Sequence, residues 1–517
     1  MISEETRPQG GARAASDAFW LVITAYLGQA VTLVLAFILR KELGPEGMGY
    51  VALTQLLGTY APYASLGVFH AAEREIAVAI GRRDEVEAAS LEGTSASVAV
   101  AGGLIGGLAL VGLALAQPPD KHLMAAALLC CAAVLFCQQF SIWATVRLRT
   151  RMRFVALGWA SAAAGVAGSV LAVIGAVVSG PSGALVGVGL GSAFQLVLLA
   201  AVSGIRPPML RRRGMLRRLA GLAPGFLAVG AALMVIGSID QLAVGFFLGT
   251  AGLGLYSGAY LGYSFVIRIP NLIGSVIYPR LQRELGASAD IARVFAMTTR
   301  TTTAVAIAMP GLVAAFFLVL PNLTWILLPE FRPAVMPMRM LLVGIMGFAF
   351  GISAIQFLVT VNRQWLEVAL TALFLAAMAA TYAVAAHMGG MSITVAAAVD
   401  LVGYYAYGMF MQAVACRVAG QSARAMVLLL PMHLVTAAEL LIVAWLTDGL
   451  VQGGSALGLV ASVLIQGVAF AATWFSLMAI SLRTNAEARA DANMFIGLLR
   501  DGLKRLRSRR LRSGGET

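Results

Sequence analysis

Leu43-Gly44-Pro45-Glu46-Gly47-Met48-Gly49 follows one long apolar segment of the chain, and Leu248-Gly249-Thr250-Ala251-Gly252-Leu253-Gly254 follows another. At an offset of 205 positions Leu43 coincides with Leu248, and Gly44, Gly47 and Gly49 coincide with Gly249, Gly252 and Gly254. A tyrosine comes next in each, Tyr50 and, one place out of step, Tyr256. An internal repeat of this length predicts two structurally related halves.

Composition fixes the class. Of 517 residues, 60% are hydrophobic and 12% charged, too little charge to cover a soluble surface of this size. Apolar runs repeatedly reach the ~20 residues that a helix needs to cross the hydrocarbon layer. Inside a bilayer each segment must satisfy its own backbone, so these runs are helices, and strand alternation of the barrel type is absent. The expected fold is an all-α integral membrane protein with 14 transmembrane helices. The segments run approximately 17–39, 48–70, 93–116, 122–146, 154–178, 183–204, 221–248, 255–279, 295–320, 335–361, 365–388, 392–416, 425–447 and 455–482.

An even count puts both termini on one side. Of 37 Arg and Lys, 31 fall on the side of the N-tail, while Arg40, Lys41, Lys121, Arg332 and Arg339 fall opposite and Arg268 lies within a span. By the positive-inside rule both termini are cytoplasmic, in the cytoplasmic (inner) membrane of the cell. The net charge of +13 therefore implies no nucleic acid as partner. Basic loops such as Arg147-Leu148-Arg149-Thr150-Arg151-Met152-Arg153 match the anionic lipids of an inner leaflet. Residues 71–92 read as a helical extension of the second segment on that side. In the tail, Phe495, Leu498, Leu499, Leu503 and Leu506 share a helical face amid basic residues, as in a helix lying on the membrane surface. The first apolar stretch ends in Arg40-Lys41, with no signal-peptide cleavage site.

Catalysis finds no support. The three lysines, Lys41, Lys121 and Lys504, follow no glycine, so a phosphate-binding loop is excluded. No external loop is long enough for a soluble catalytic domain, and external acids are isolated. The four cysteines, Cys130, Cys131, Cys137 and Cys416, lie within spans and read as packing residues. The four histidines have no ligand spacing, and no cofactor or metal is expected.

Polar groups within the spans carry the functional information. An ionisable side chain there costs about 2.5–3.5 kcal/mol unless it faces a cavity or a partner. Asp240, Arg268, Glu367, Asp400 and Glu439 are such residues. Arg268 is the one cation in the middle of a span, and Pro270 and Asn271 follow it in a helix that proline would kink or loosen. This is how a polar cavity receives an anion. A buried structural pair with Asp240 is the alternative. Asp400 and Glu439 are candidates for a coupling ion. Glutamines in spans, Gln55, Gln139, Gln195, Gln412 and Gln466 among them, read as interhelical hydrogen-bonding groups. Glycines spaced by four, such as Gly187/Gly191 and Gly347/Gly351, allow close helix approach.

A family resemblance covers most of the chain. To the paired glycine motifs it adds Ser65-Leu66-Gly67-Val68 and Arg74-Glu75-Ile76-Ala77 in the first half. Asp240-Gln241, Ile269-Pro270 and Tyr278-Pro279-Arg280-Leu281 stand in the second. In order and spacing these resemble the polysaccharide-transporter branch of the multidrug/oligosaccharidyl-lipid/polysaccharide exporter superfamily, which includes O-antigen and exopolysaccharide repeat-unit flippases. The resemblance implies two related six-helix lobes, residues 17–204 and 221–416, joined by a basic linker at 205–220. The N-tail would be 1–16, two added helices would occupy 417–482, and the basic tail 483–517. Segments 1, 2, 7 and 8 would line a groove for the diphosphate-sugar head of a polyprenyl-linked oligosaccharide. Arg268, Asn271 and Asp240 would lie in that groove, Arg74 at its inner mouth, Arg40 and Lys41 at its outer mouth. Polysaccharide polymerase or assembly proteins would be partners. Two other functions compete: an ion-coupled drug exporter, and a non-transporting membrane scaffold for polysaccharide assembly.

Overall fold

The computed structural model describes residues 9–204, 213–288, 290–421, 424–452 and 456–484. The surface helix expected at Phe495–Leu506 lies outside them. Among the described residues there are fifteen α-helices and no strands, and nine helical stretches are long and apolar enough to cross a membrane.

Helices and spans are not one to one, and the chemistry of the turns explains why. Helix α1 (Gln9–Thr59) carries the first two spans, turned at Gly44, whose φ is +61°. A left-handed residue reverses the chain at low cost only where there is no Cβ, and Pro45 then opens the next helix without a wasted N–H. Helix α5 (Phe154–Ser203) repeats the device at Gly180-Pro181 with φ of +59°. Between them lie α2 (Val68–Gly81), α3 (Glu85–Leu115) and α4 (His122–Thr150). Residues 71–92 are thus not an extension of the second span. The chain breaks at Leu66 and Gly67, both left-handed, and α2 and the start of α3 are separate elements joined by a turn that Asp84 caps.

The seventh and eighth spans are each broken. The seventh is α6 (Arg213–Ile236) and α7 (Ile239–Phe247), interrupted at Gly237-Ser238. The eighth is α8 (Gly249–Val266) and α9 (Arg268–Ser288), interrupted at Ile267. Pro270 has no N–H to give the carbonyl of Val266, so the first helix ends and a second begins at Arg268. The remaining helices are α10 (Ile291–Leu327), α11 (Val335–Thr360), α12 (Gln364–His387), α13 (Ile393–Val418), α14 (Arg424–Gln452) and α15 (Ala456–Thr484).

The chain forms two compact units. The first comprises Met1–Leu261, Leu327–Ala334 and Val384–Ile393; the second comprises Gly262–Ile326, Val335–Ala383 and Thr394–Thr517. In the first unit a core gathers Phe69 and Ile76 of α2, Leu91 of α3, Trp143 and Leu148 of α4, Leu199 of α5 and Leu219 of α6. Burying that apolar face is what turns α2 from a free amphipathic helix into a fixed element. In the second unit α11 is the central helix, buried along nearly its whole length. Gly347 lies against the backbone of Tyr405 and Gly351 against Gly408, so α11 and α13 approach closely. Gly187 lies against Leu171 and Gly191 against Gly168 in the same manner within α5.

Candidate functional site

In the first unit the two repeated motifs meet each other. A methyl group built on Gly49 would overlap the carbonyl of Thr250, and one built on Gly254 would overlap the carbonyl of Pro45. Position 45 corresponds to 250 and position 49 to 254 at the offset of the repeat, so the contact is reciprocal, as across a local two-fold axis. Both turns use a left-handed glycine, Gly44 at φ +61° and Gly249 at +69°. The glycines shape and pack the turns, which is why the repeat preserves them.

From this contact the second and seventh spans run side by side. The Tyr60 and Ser238 hydroxyls are 2.6 Å apart, and the Tyr63 hydroxyl donates to the Gly230 carbonyl at 2.7 Å. A Cβ on Gly67 would crowd the carbonyl of Ala223. Ser238 also donates to the Met234 carbonyl, one turn back at the interruption. Of these residues only Gly67 was singled out from sequence. The available signal was a pair of tyrosines flanking Pro62 within an apolar segment.

Asp240 is the second residue of α7 and is 1% exposed; the Tyr256 hydroxyl donates to it at 2.7 Å. The next residue on α8, Ser257, offers its carbonyl to the Arg40 guanidinium at 2.8 Å. Asp240 and Arg40 are thus tied to consecutive residues of one helix. Arg40 is buried and Lys41 beside it is exposed. Arg74 is exposed on α2.

At the arginine-rich end of the same unit, charges interlock. Buried Glu92 of α3 pairs with Arg147 of α4 at 3.3 Å and with Arg151, just past the end of α4, at 3.0 Å. Arg218 of α6 pairs with both Glu75 of α2 and Glu87 of α3. The hydrogen bond with Glu87, together with the charge of Glu75, holds Arg218 above its ordinary pKa. The basic stretch at 147–153 therefore fastens α3 to the end of α4.

In the second unit Arg268 stands as the first residue of α9, exposed, and Asn271 three places on is exposed too. No ion pair engages Arg268 among the described residues. Two of the acidic residues within spans, Glu367 and Asp400, accept from hydroxyls. Glu367 accepts from Thr371 at 2.9 Å, with Tyr407 beside both, and Asp400 accepts from Tyr382. Glu439 is half-buried on α14. Gln412 donates to the Phe350 carbonyl at 2.6 Å and to Thr302 at 2.9 Å, and Gln466 donates to Thr447 at 2.7 Å. These glutamines join helices, as expected of their type. In the first unit Gln139 does the same, to the Ala61 carbonyl. Gln55 and Gln195 instead line a cavity. Cys130 donates its thiol to the Leu185 carbonyl, a packing role.

Broken helices, charged residues at the breaks and an all-helical multi-pass membrane architecture define the class of this chain. Residues 80–336, just short of half of the sequence, match the family described as "Polysaccharide biosynthesis protein". No curated protein matches in sequence. Among solved structures, the chain is similar to the lipid II flippase MurJ in an inward closed conformation, with TM-score 0.62 and 12% identity. That likeness covers 90% of this chain and 98% of that one. A multidrug resistance MATE family transporter of the MOP superfamily, inward-facing, has TM-score 0.57 and 15% identity, covering 76% and 94%. A MOP superfamily transporter from Pyrococcus furiosus has TM-score 0.52 and 15% identity, covering 78% and 95%. The family match and the shared fold bear out the resemblance to the polysaccharide exporter branch of this superfamily.

Proposed function

We propose that this chain is a flippase that carries a polyprenyl-diphosphate-linked oligosaccharide from the inner to the outer face of the cytoplasmic membrane for surface polysaccharide assembly. The observation that carries the reading is the interruption of the eighth span at Ile267, which leaves Arg268 exposed at the start of α9. A half-helix N-terminus with a guanidinium at its first position and an amide one turn on suits a phosphate group. Arg268 and Asn271 would hold the diphosphate, Asp240 would order the neighbouring span, and Arg74 and Lys41 would attract the head group at the two mouths. The lobes at 17–204 and 221–416 would rock about the groove in alternating access, with Asp400 or Glu439 binding the driving ion.

Deletion of the gene tests this. Lipid-linked repeat units should accumulate on the cytoplasmic face while surface polymer is lost. Unchanged polymer, in cells without another flippase, sinks the proposal. The likeness to MATE transporters supports a second reading, an ion-coupled small-molecule exporter. Drug sensitivity in the deletion strain with intact polymer would favour it.

A further inference from the structure

Arg40 is 6% exposed, yet it has no acidic partner among the described residues. Its terminal nitrogens donate to two backbone carbonyls, Ala36 at 3.0 Å and Ser257 at 2.8 Å, while its Nε–H has no acceptor. A carbonyl shares a hydrogen bond but does not neutralise a charge. A buried cation with only dipoles around it remains costly unless an anion or water joins it.

The guanidinium lines a cavity of about 230 Å³ between α1 and α5. The polar groups that share its wall are Gln55, Ser169, Ser192 and Gln195, and no acidic residue is among the lining. Ser169 and Ser192 give their hydrogens to the carbonyls of Gly165 and Val188, one turn back. That leaves the amides of Gln55 and Gln195 as donors with no side-chain hydrogen bond among the described residues. The wall thus combines one fixed positive charge, an unpaired N–H and two free amides.

We propose that this cavity is a binding site for a small monovalent inorganic anion such as chloride, held by Arg40 with the amides of Gln55 and Gln195. The size of the charge selects the class. One guanidinium balances one negative charge, whereas a diphosphate needs more cations than this wall provides. The bound anion would let Arg40 stay buried while it links the first span to α8 through Ser257. The inference is independent of what the protein transports.

The test uses the purified full chain in detergent, with unfolding temperature read at constant ionic strength. Tm should be several degrees higher in chloride or bromide than in gluconate, which is too bulky for the site, and the effect should saturate. Arg40→Gln should abolish the difference. Gln195→Ala should raise the half-saturating chloride concentration about tenfold, as expected for the loss of one charge-assisted hydrogen bond. If Arg40→Gln does not accumulate, Gln195→Leu and Gln55→Leu, which keep the charge, should still weaken the chloride response. Equal Tm in all three salts overturns the proposal, as does an undiminished chloride response in the glutamine variants. Stabilisation by inorganic diphosphate but not by chloride would overturn it as well, and would give the cavity to a phosphate head group.

Discussion

A guanidinium at membrane depth is tolerated only against water, an anion or a carboxylate, and Arg40 and Arg268 have opposite surroundings. Arg40 is buried on carbonyls; Arg268 is exposed at a helix start. If Arg268 binds the diphosphate, Arg268→Ala should abolish export while the protein accumulates normally. Arg268→Lys should restore it only partly, because a point charge cannot make a bidentate phosphate contact. If Arg268 instead pairs with Asp240, Asp240→Ala should be as harmful and the double mutant should recover. Export measured in a polymer assay, with protein level by immunoblot, separates these outcomes. Arg268 and Asp240 stood out in the sequence because charge in an apolar run is visible by inspection. The sequence did not show the roles of Tyr60, Tyr63 and Ser238, since a hydroxyl in a span looks the same whether it meets a partner or lipid. Nor did it place Arg40 in a cavity, because partners that are backbone carbonyls leave no trace in residue type.

At the scale of elements, contact depends on what is missing from glycine. Gly254 lies against Pro45 and Gly49 so closely that any side chain would force the helices apart. Gly254→Val should therefore cost about 1–3 kcal/mol by overpacking, seen as a lower Tm. Gly221 on α6 has nothing within 4 Å of a built Cβ, so Gly221→Ala should be neutral or slightly stabilising. Equal effects would mean that the reciprocal contact is not close-packed. The charge cluster makes a second forecast. Arg218→Glu should loosen α6 from α2 and α3 by placing three carboxylates together, and the further changes Glu75→Arg and Glu87→Arg should restore the fastening. Protease sensitivity of the 205–220 linker reads this directly, and no gain in cleavage for Arg218→Glu would count against it. The repeat was legible because turn glycines cannot be replaced. The break between the second span and α2 was not, because Leu66 adopts a left-handed conformation that nothing in its type announces.

At the scale of the whole molecule, the fourteen expected spans and the fifteen helices of the described residues do not correspond one to one. Helices α1 and α5 each contain two spans, the seventh and eighth spans contain two helices each, and α2 buries its apolar face within the first unit. Every expected span nonetheless coincides with helix over most of its length, because twenty apolar residues in a row leave the backbone no other way to satisfy itself. The expected sidedness rests on the division of charge as well as on the span count, which makes it separately testable. The ion pairs of Glu92 and Arg218 gather at the end that carries the basic loops. A reporter fused after Arg211 should therefore be active only as a cytoplasmic marker, and one after Thr250 only as an external one. Between these two points lie α6 and α7, separated at Gly237-Ser238, which the expected topology makes a single crossing. If the interruption instead turned the chain back, both reporters would fall on the same side. That result would make the seventh span a re-entrant hairpin and would remove Asp240 from the path assigned to the substrate.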